Sequence, residues 1–295
     1  MDKKIGFIGL GVMGHSMAMH ILDAGYSLFI SNRTRSKGKE LEDKGAIWCE
    51  SPKEVAAKVD ILFTIVGYPK DVKEVYLGGE GVIKGLHKGL ICCDMTTTKP
   101  SLMLEISKEF KAHDVAFADA PVSGGDVGAR NATLSFMVGA DEDVFASLKP
   151  LFALMGKSIT HCGSVGMGQQ TKMCNQITIA GTMIGVSEAL VYASKCGLNL
   201  EVMVNTISKG AAGCWTLDNL APRVIKGDFN PGFMIEHFVK DMGIALEEAE
   251  RMEIALPGLA LAKQLYTALK GQDMGRCGTQ ALVKAIQSIS GDKLF

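Results

Sequence analysis

The run Gly9-Leu10-Gly11-Val12-Met13-Gly14 constrains the fold of this chain more than any other feature. It directly follows a β-branched apolar run at 5–10 and opens a helical period at 12–24, so it reads as a strand–turn–helix. In that setting the first glycine permits the tight turn, the second lets the backbone approach a pyrophosphate, and the third allows close helix–strand packing. The helix N-terminus then presents N–H groups and a partial positive charge to the phosphates. A plain glycine-rich turn is the alternative. The flanking strand and helix favour a dinucleotide site made by Gly9, Leu10, Gly11, Val12, Met13 and Gly14.

The end of the second strand bears on the choice of dinucleotide. An NAD site usually places Asp or Glu about 20 residues on, to bond the ribose 2′-hydroxyl; this chain has Asn32-Arg33-Thr34-Arg35 there. Arginine stacks on adenine and pairs with a 2′-phosphate, with Asn32 and Thr34 as neutral partners. The expectation is NADP (NADPH) in preference to NAD, against a solvated basic turn.

The rhythm of the chain sets its organisation. Strand candidates at 5–10, 27–31, 60–66, 90–94, 115–118, 134–138 and 158–162 alternate with helical periods at 12–24, 36–44, 52–58, 69–77, 99–112 and 142–155. That alternation implies βαβ units and a mostly parallel sheet covered on both faces. One long helical pattern, 169–196, follows, and then further helices at 201–208, 240–252, 259–269 and 279–288. The expected architecture is α/β: a Rossmann-type doubly wound sheet over 1–164, then an all-helical domain over 165–295 for substrate binding and association.

Composition excludes some partners. With 31 Lys and Arg against 32 Asp and Glu, no global field draws the chain to nucleic acid or to an anionic membrane. The eight cysteines contain no C-x-x-C pair, so neither a zinc site nor a disulfide framework is expected. Thr178, Thr182, Ser187 and Glu188 interrupt the most apolar stretch, which therefore reads as a buried helix and not a membrane span. The opening residues lack the pattern of a secretion signal, so the expected location is the cytoplasm.

Three further segments carry candidate chemistry. Ser123, Gly124 and Gly125 lie just past a sheet strand, where open α/β sheets bind ligands; a hydroxyl and unhindered N–H groups suit a carboxylate, although an ordinary turn has the same composition. Lys172, Asn175 and Gln176 share one face of the long helix. A lysine leading so apolar a helix is costly unless its charge is used, paired or snorkelled to solvent. Lys240 and Asp241 follow Phe233 in the helical part, as a functional Lys–Asp pair or a solvated helix start. None of the six histidines shows the partner pattern of a catalytic acid.

Four motifs, GFIGLGVMG, DAPVSGG at 119–125, the G-x-x-x-K ending at Lys172, and the KD at 240–241, occur in the order and spacing of the β-hydroxyacid dehydrogenases, which the chain resembles along essentially its whole length. That family includes 3-hydroxyisobutyrate dehydrogenases and the tartronate, glyoxylate and succinic semialdehyde reductases. The resemblance implies hydride transfer between NADP(H) and a small β-hydroxy acid or semialdehyde acid. It implies that Ser123, Gly124 and Gly125 hold the substrate carboxylate and that Lys172 is the catalytic acid/base. Val66, Gly67, Tyr68, Pro69, Thr97 and Lys240, with Phe233 and Asp241 beside it, fall to the cofactor, and Trp215 to the substrate. Either Asn175 or Gln176 orients the substrate. The resemblance also implies a homodimer or homotetramer and needs no metal. Two other readings are a non-catalytic NADP-binding interaction module and a 6-phosphogluconate-type decarboxylating dehydrogenase.

Overall fold

A computed structural model describes residues 3–291. Its contacts divide into two compact units that part between Lys172 and Met173, whereas the sequence rhythm changes at 164–165.

The first unit is built on a sheet of nine strands among the described residues: β1 (Lys4–Ile8), β2 (Ser27–Ser31), β3 (Ile47–Trp48), β4 (Ile61–Thr64), β5 (Ile91–Asp94), β6 (Ala116–Asp119), β7 (Val122–Ser123), β8 (Leu134–Gly139) and β9 (Gly156–Gly163). Their order is β3-β2-β1-β4-β5-β6-β8-β7, with β9 also on β8. From β3 to β6 every pairing is parallel. The order reverses on either side of β1, the doubly wound arrangement that the alternating rhythm implies. Register sorts the strand residues into two cores by the period of two. Phe7, Phe63, Cys93 and Ala118 pair in a row and feed one core, while Leu62, Cys92 and Phe117 feed the other.

Two strands escaped the sequence reading, and one region is not parallel. β3 and β7 are two residues each, too short for a periodic signal. β8 runs antiparallel to both β6 and β7, because the chain between 119 and 134 turns back instead of crossing over. A short helix, Gly125–Arg130, occupies that return.

The second unit is helical. It contains most of the helix Met167–Lys195, then Leu200–Ile207, Trp215–Asn219, Ala221–Ile225, Ile235–Arg251, Pro257–Gly271 and Leu282–Ile289. The helix Ile235–Arg251 starts ahead of the expected 240, because Glu236 and His237 are the polar side of an amphipathic first turn whose other side, Ile235 and Phe238, is fully buried. Its main core gathers Met183, Phe238, Met242, Tyr266 and Leu282. By length and composition Met167–Lys195 is apolar enough to cross a membrane. Its polar side chains Gln169, Lys172, Gln176 and Ser187 are buried within the protein.

Candidate active site

The three glycines of the turn meet different surroundings. Gly9 has φ +100°, and a Cβ there would collide with the Ile65 carbonyl oxygen. A Cβ on Gly14 would strike the Gly9 carbonyl oxygen and the Ile65 side chain, so this glycine lets the helix Gly14–Asp23 pack on the strand ends. A Cβ on Gly11 meets no protein atom within 4 Å. Packing therefore explains Gly9 and Gly14 but not Gly11, whose side is open. No side chain caps the helix, and its first turn holds no acid. These residues fit a dinucleotide.

Asn32 plays a part that sequence reasoning missed. Its Oδ1 accepts the Leu10 N–H at 2.9 Å and its Nδ2 donates to the Thr34 carbonyl at 2.9 Å, tying the glycine turn to the loop after β2. Val12 is exposed beside that turn, while Met13 is half-buried. Arg33 and Thr34 are exposed. Arg35, by contrast, is engaged with Glu50 at 2.6 Å and Glu42 at 3.3 Å and lies 4.8 Å over the Trp48 ring.

The carboxyl ends of β4, β5 and β6 carry a polar row. Thr64 pairs with Asp94 and Asp94 with Asp119 across the strands, and all three are fully buried. Thr64 Oγ1 donates to Asp94 Oδ1 at 2.6 Å, and Thr96 Oγ1 donates to the same oxygen at 2.8 Å. The Thr96 hydroxyl also accepts the Val66 N–H at 2.9 Å. One hydroxyl thus joins the loop Val66, Gly67, Tyr68 and Pro69 to the loop containing Thr97. Pro69 opens the helix Pro69–Leu77, and Asp71 accepts the Tyr68 N–H at 3.1 Å.

Asp119 holds the start of the helix that bears Lys172. Its carboxylate accepts the Gly166 N–H at 2.5 Å and the Gln169 N–H at 2.7 Å. A Cβ on Gly139, the residue opposite, would collide with Asp119 Oδ1. Burial pushes the Asp119 carboxyl up to about 7, and Asp94 adds to the rise against the pull of the two backbone donors. Lys172 itself is 6% exposed.

Ser123 ends β7 and is half-buried; Gly124 and Gly125 follow with φ +129° and +63°, conformations that residues with side chains resist. In the second unit, Lys240 Nζ lies 3.0 Å from Asp241 Oδ1, and Asp241 Oδ2 accepts from Gln176 Nε2 at 2.7 Å. Gln176 is 1% exposed, and its Oε1 is left without a hydrogen bond. Asn175, next to it on the helix, is half-buried. Phe233 packs on Phe238 at 5.5 Å, while Trp215 stands 66% exposed at the start of its short helix. Burial and the nearby Lys240 lower the His237 pKa. His20 and His161 bond backbone carbonyls at 2.9 and 2.7 Å, and His15 faces Glu40.

Residues 4–163 match the family described as the NAD binding domain of 6-phosphogluconate dehydrogenase, and residues 166–286 match the NAD-binding domain of NADP-dependent 3-hydroxyisobutyrate dehydrogenase. The 2-hydroxy-3-oxopropionate reductase of Escherichia coli K12 is 38% identical, covering 99% of both chains. The chain belongs to the β-hydroxyacid dehydrogenase family. A probable 3-hydroxyisobutyrate dehydrogenase-like protein of Arabidopsis thaliana, described as mitochondrial, is 50% identical over 98% of this chain and 86% of its own. The solved 3-hydroxyisobutyrate dehydrogenase of Mycobacterium tuberculosis, described with L-serine, superposes with a TM-score of 0.90 at 28% identity, covering 97% of this chain and 100% of that one. The protein is therefore an NAD(P)-dependent oxidoreductase acting on CH–OH groups, of the 3-hydroxyisobutyrate dehydrogenase type.

Proposed function

We propose that the protein interconverts a small semialdehyde acid and its β-hydroxy acid with NADP(H), using Lys172 as general acid/base. The observation that carries this reading is the depth of Lys172, 6% exposed on a helix whose first turn is held by a buried carboxylate. A cation at that depth costs free energy, and a binding module without catalysis has no demand for it.

The residues take the following parts. Gly9 to Gly14 and the helix behind them hold the pyrophosphate, and the Val66 to Pro69 loop and Thr97 hold the rest of the dinucleotide with Lys240, Asp241 and Phe233. Arg33, exposed and without a hydrogen bond or ion pair among the described residues, takes the 2′-phosphate. NADPH supplies the hydride when bound. The Ser123 hydroxyl and the Gly124 and Gly125 N–H groups bind the substrate carboxylate. Lys172 as an ammonium stabilises the developing alkoxide and donates its proton to it; in the oxidative direction the neutral amine takes that proton back. Gln176, its amide nitrogen engaged by Asp241, keeps its carbonyl oxygen for a hydroxyl donor on the substrate. Trp215 is assigned to the substrate by the family resemblance.

The division of labour is a dinucleotide-binding domain over 1–164 and a substrate and association domain over 165–295, which ends outside the described residues. Exposed Tyr192, Leu198 and Val202 in the helical unit support association with further copies of the chain as a homodimer or homotetramer. All eight cysteines are free thiols, which supports a reducing, cytoplasmic setting.

The test is NADPH oxidation with glyoxylate and with succinic, methylmalonic and tartronic semialdehydes, read as kcat/KM ratios and repeated with NADH. Turnover with at least one of these acids and preference for NADPH are expected; inactivity with all four overturns the reading.

A further inference from the structure

One residue at an unspecified position within the G-x-x-x-K motif ties two parts of the site together. Gln169 is fully buried in the first turn of the helix Met167–Lys195. Its Nε2 donates to the Thr96 carbonyl at 2.7 Å, and its Oε1 accepts the Thr98 N–H at 3.0 Å. The side-chain amide thus bonds the main chain on both sides of Thr97, and its own backbone N–H is taken by Asp119 at 2.7 Å. Lys172 lies one turn further along the same helix and on the same face.

We propose that Gln169 is a positioning residue that sets the distance between the Thr97 loop and Lys172. The proposal rests on the reading of Lys172 as the acid/base and of Thr97 as a cofactor contact. The chemistry of the residue is specific. A donor and an acceptor are needed side by side, so Glu lacks the donor, Asn falls one methylene short, and Met fills the space with neither. The loop is already tied to Val66 through the Thr96 hydroxyl. With Gln169 in place, the helix is referenced to the same loop, and no step in the chain of bonds from Val66 to the first turn of the helix depends on an exposed side chain. Misplacement of reacting groups by about 1 Å costs on the order of 100-fold in rate, so loosening this bridge acts on turnover more than on binding.

The test compares wild type with Gln169→Met and Gln169→Asn. Three readouts are taken: kcat and KM for the best semialdehyde, the isotope effect with NADPH deuterated at the transferred position, and the exchange rate of the Thr98 amide without cofactor. The proposal expects faster Thr98 exchange, kcat lowered by about 10- to 100-fold with KM within about threefold, and a larger isotope effect as hydride transfer becomes slower. A lowered Tm with unchanged kcat and isotope effect marks a purely structural residue and overturns it. Should Gln169→Met fail to fold, Gln169→Asn carries the same comparison. Unchanged Thr98 exchange in a folded variant shows that the bridge is absent and also overturns it. Inactive wild type with a protected Thr98 amide overturns the underlying assignment of the reaction, and this proposal with it.

Discussion

Asn32 fixes Leu10: the side-chain oxygen of the first residue after β2 accepts the N–H of the second residue in the glycine turn, at 2.9 Å. The residue that in NAD enzymes would address a ribose hydroxyl here braces the glycine turn, and in the proposed NADP reading Arg33 beside it addresses the 2′-phosphate. Asn32→Asp keeps the acceptor for Leu10 and adds a negative charge against a 2′-phosphate. The expected outcome is a kcat/KM ratio for NADPH over NADH lowered by about tenfold or more, equivalent to about 1.4 kcal/mol, with a modest loss of Tm from the exposed Nδ2 bond to the Thr34 carbonyl that the variant gives up. Arg33→Ala is expected to weaken NADPH selectively, and steady-state kinetics with both cofactors checks both variants.

The three glycines of the turn are separable by experiment. Gly14→Ala drives a methyl into the Gly9 carbonyl and is expected to destabilise the protein by about 1–3 kcal/mol, read by denaturant unfolding. Gly11→Ala meets nothing in the protein within 4 Å. It is expected to keep its stability while NADPH binding, followed by fluorescence titration, weakens at least tenfold, an order-of-magnitude expectation for a side chain set against the pyrophosphate.

Asp119 should give the protein a recognisable pH dependence. Its carboxyl is raised from 3.8 to about 7, chiefly by burial and then by Asp94, against the Gly166 and Gln169 donors. Between about pH 4 and 7 the folded chain holds a proton that the unfolded chain has released, so stability falls as pH rises across that window. Asp119 therefore favours folding fully below about pH 4, and that contribution is lost as pH climbs through 7. Asp119→Asn removes the titration and leaves one acceptor oxygen for two backbone donors, a loss of about 1–3 kcal/mol. Calorimetry from pH 4 to 8 should show the wild type's advantage over Asp119→Asn shrinking as pH rises; a constant difference contradicts the titration.

Much of this was legible in the chain because it is local. The glycine turn, the alternation of strands and helices, and the change of rhythm near 165 are each encoded within a few neighbouring residues. The sheet's polar row was not. Thr64, Asp94 and Asp119 are far apart in sequence, and only strand register sets them side by side. Each is nonetheless the last residue of its strand; Asp94 and Asp119 follow apolar residues directly, a signal that a search for polar residues at strand ends would have found, whereas Thr64 lies inside the apolar run 61–66. Gln169 escaped for the opposite reason: it sits inside a recognised motif, where Lys172 took the attention. The antiparallel return through β7 and β8 was hidden because Ser123, Gly124 and Gly125 read first as a ligand loop, and the two-residue strand that ends at Ser123 has no period to display.

In the proposed reaction Lys172 moves the proton. The most direct test is kcat of Lys172→Ala with NADPH and the best semialdehyde, alongside the NADPH dissociation constant from fluorescence. General acid–base catalysis contributes about 10²- to 10⁴-fold, so kcat is expected to fall by that factor while the dissociation constant stays within about threefold. A folded Lys172→Ala that keeps kcat within about threefold of wild type would show that another group moves the proton.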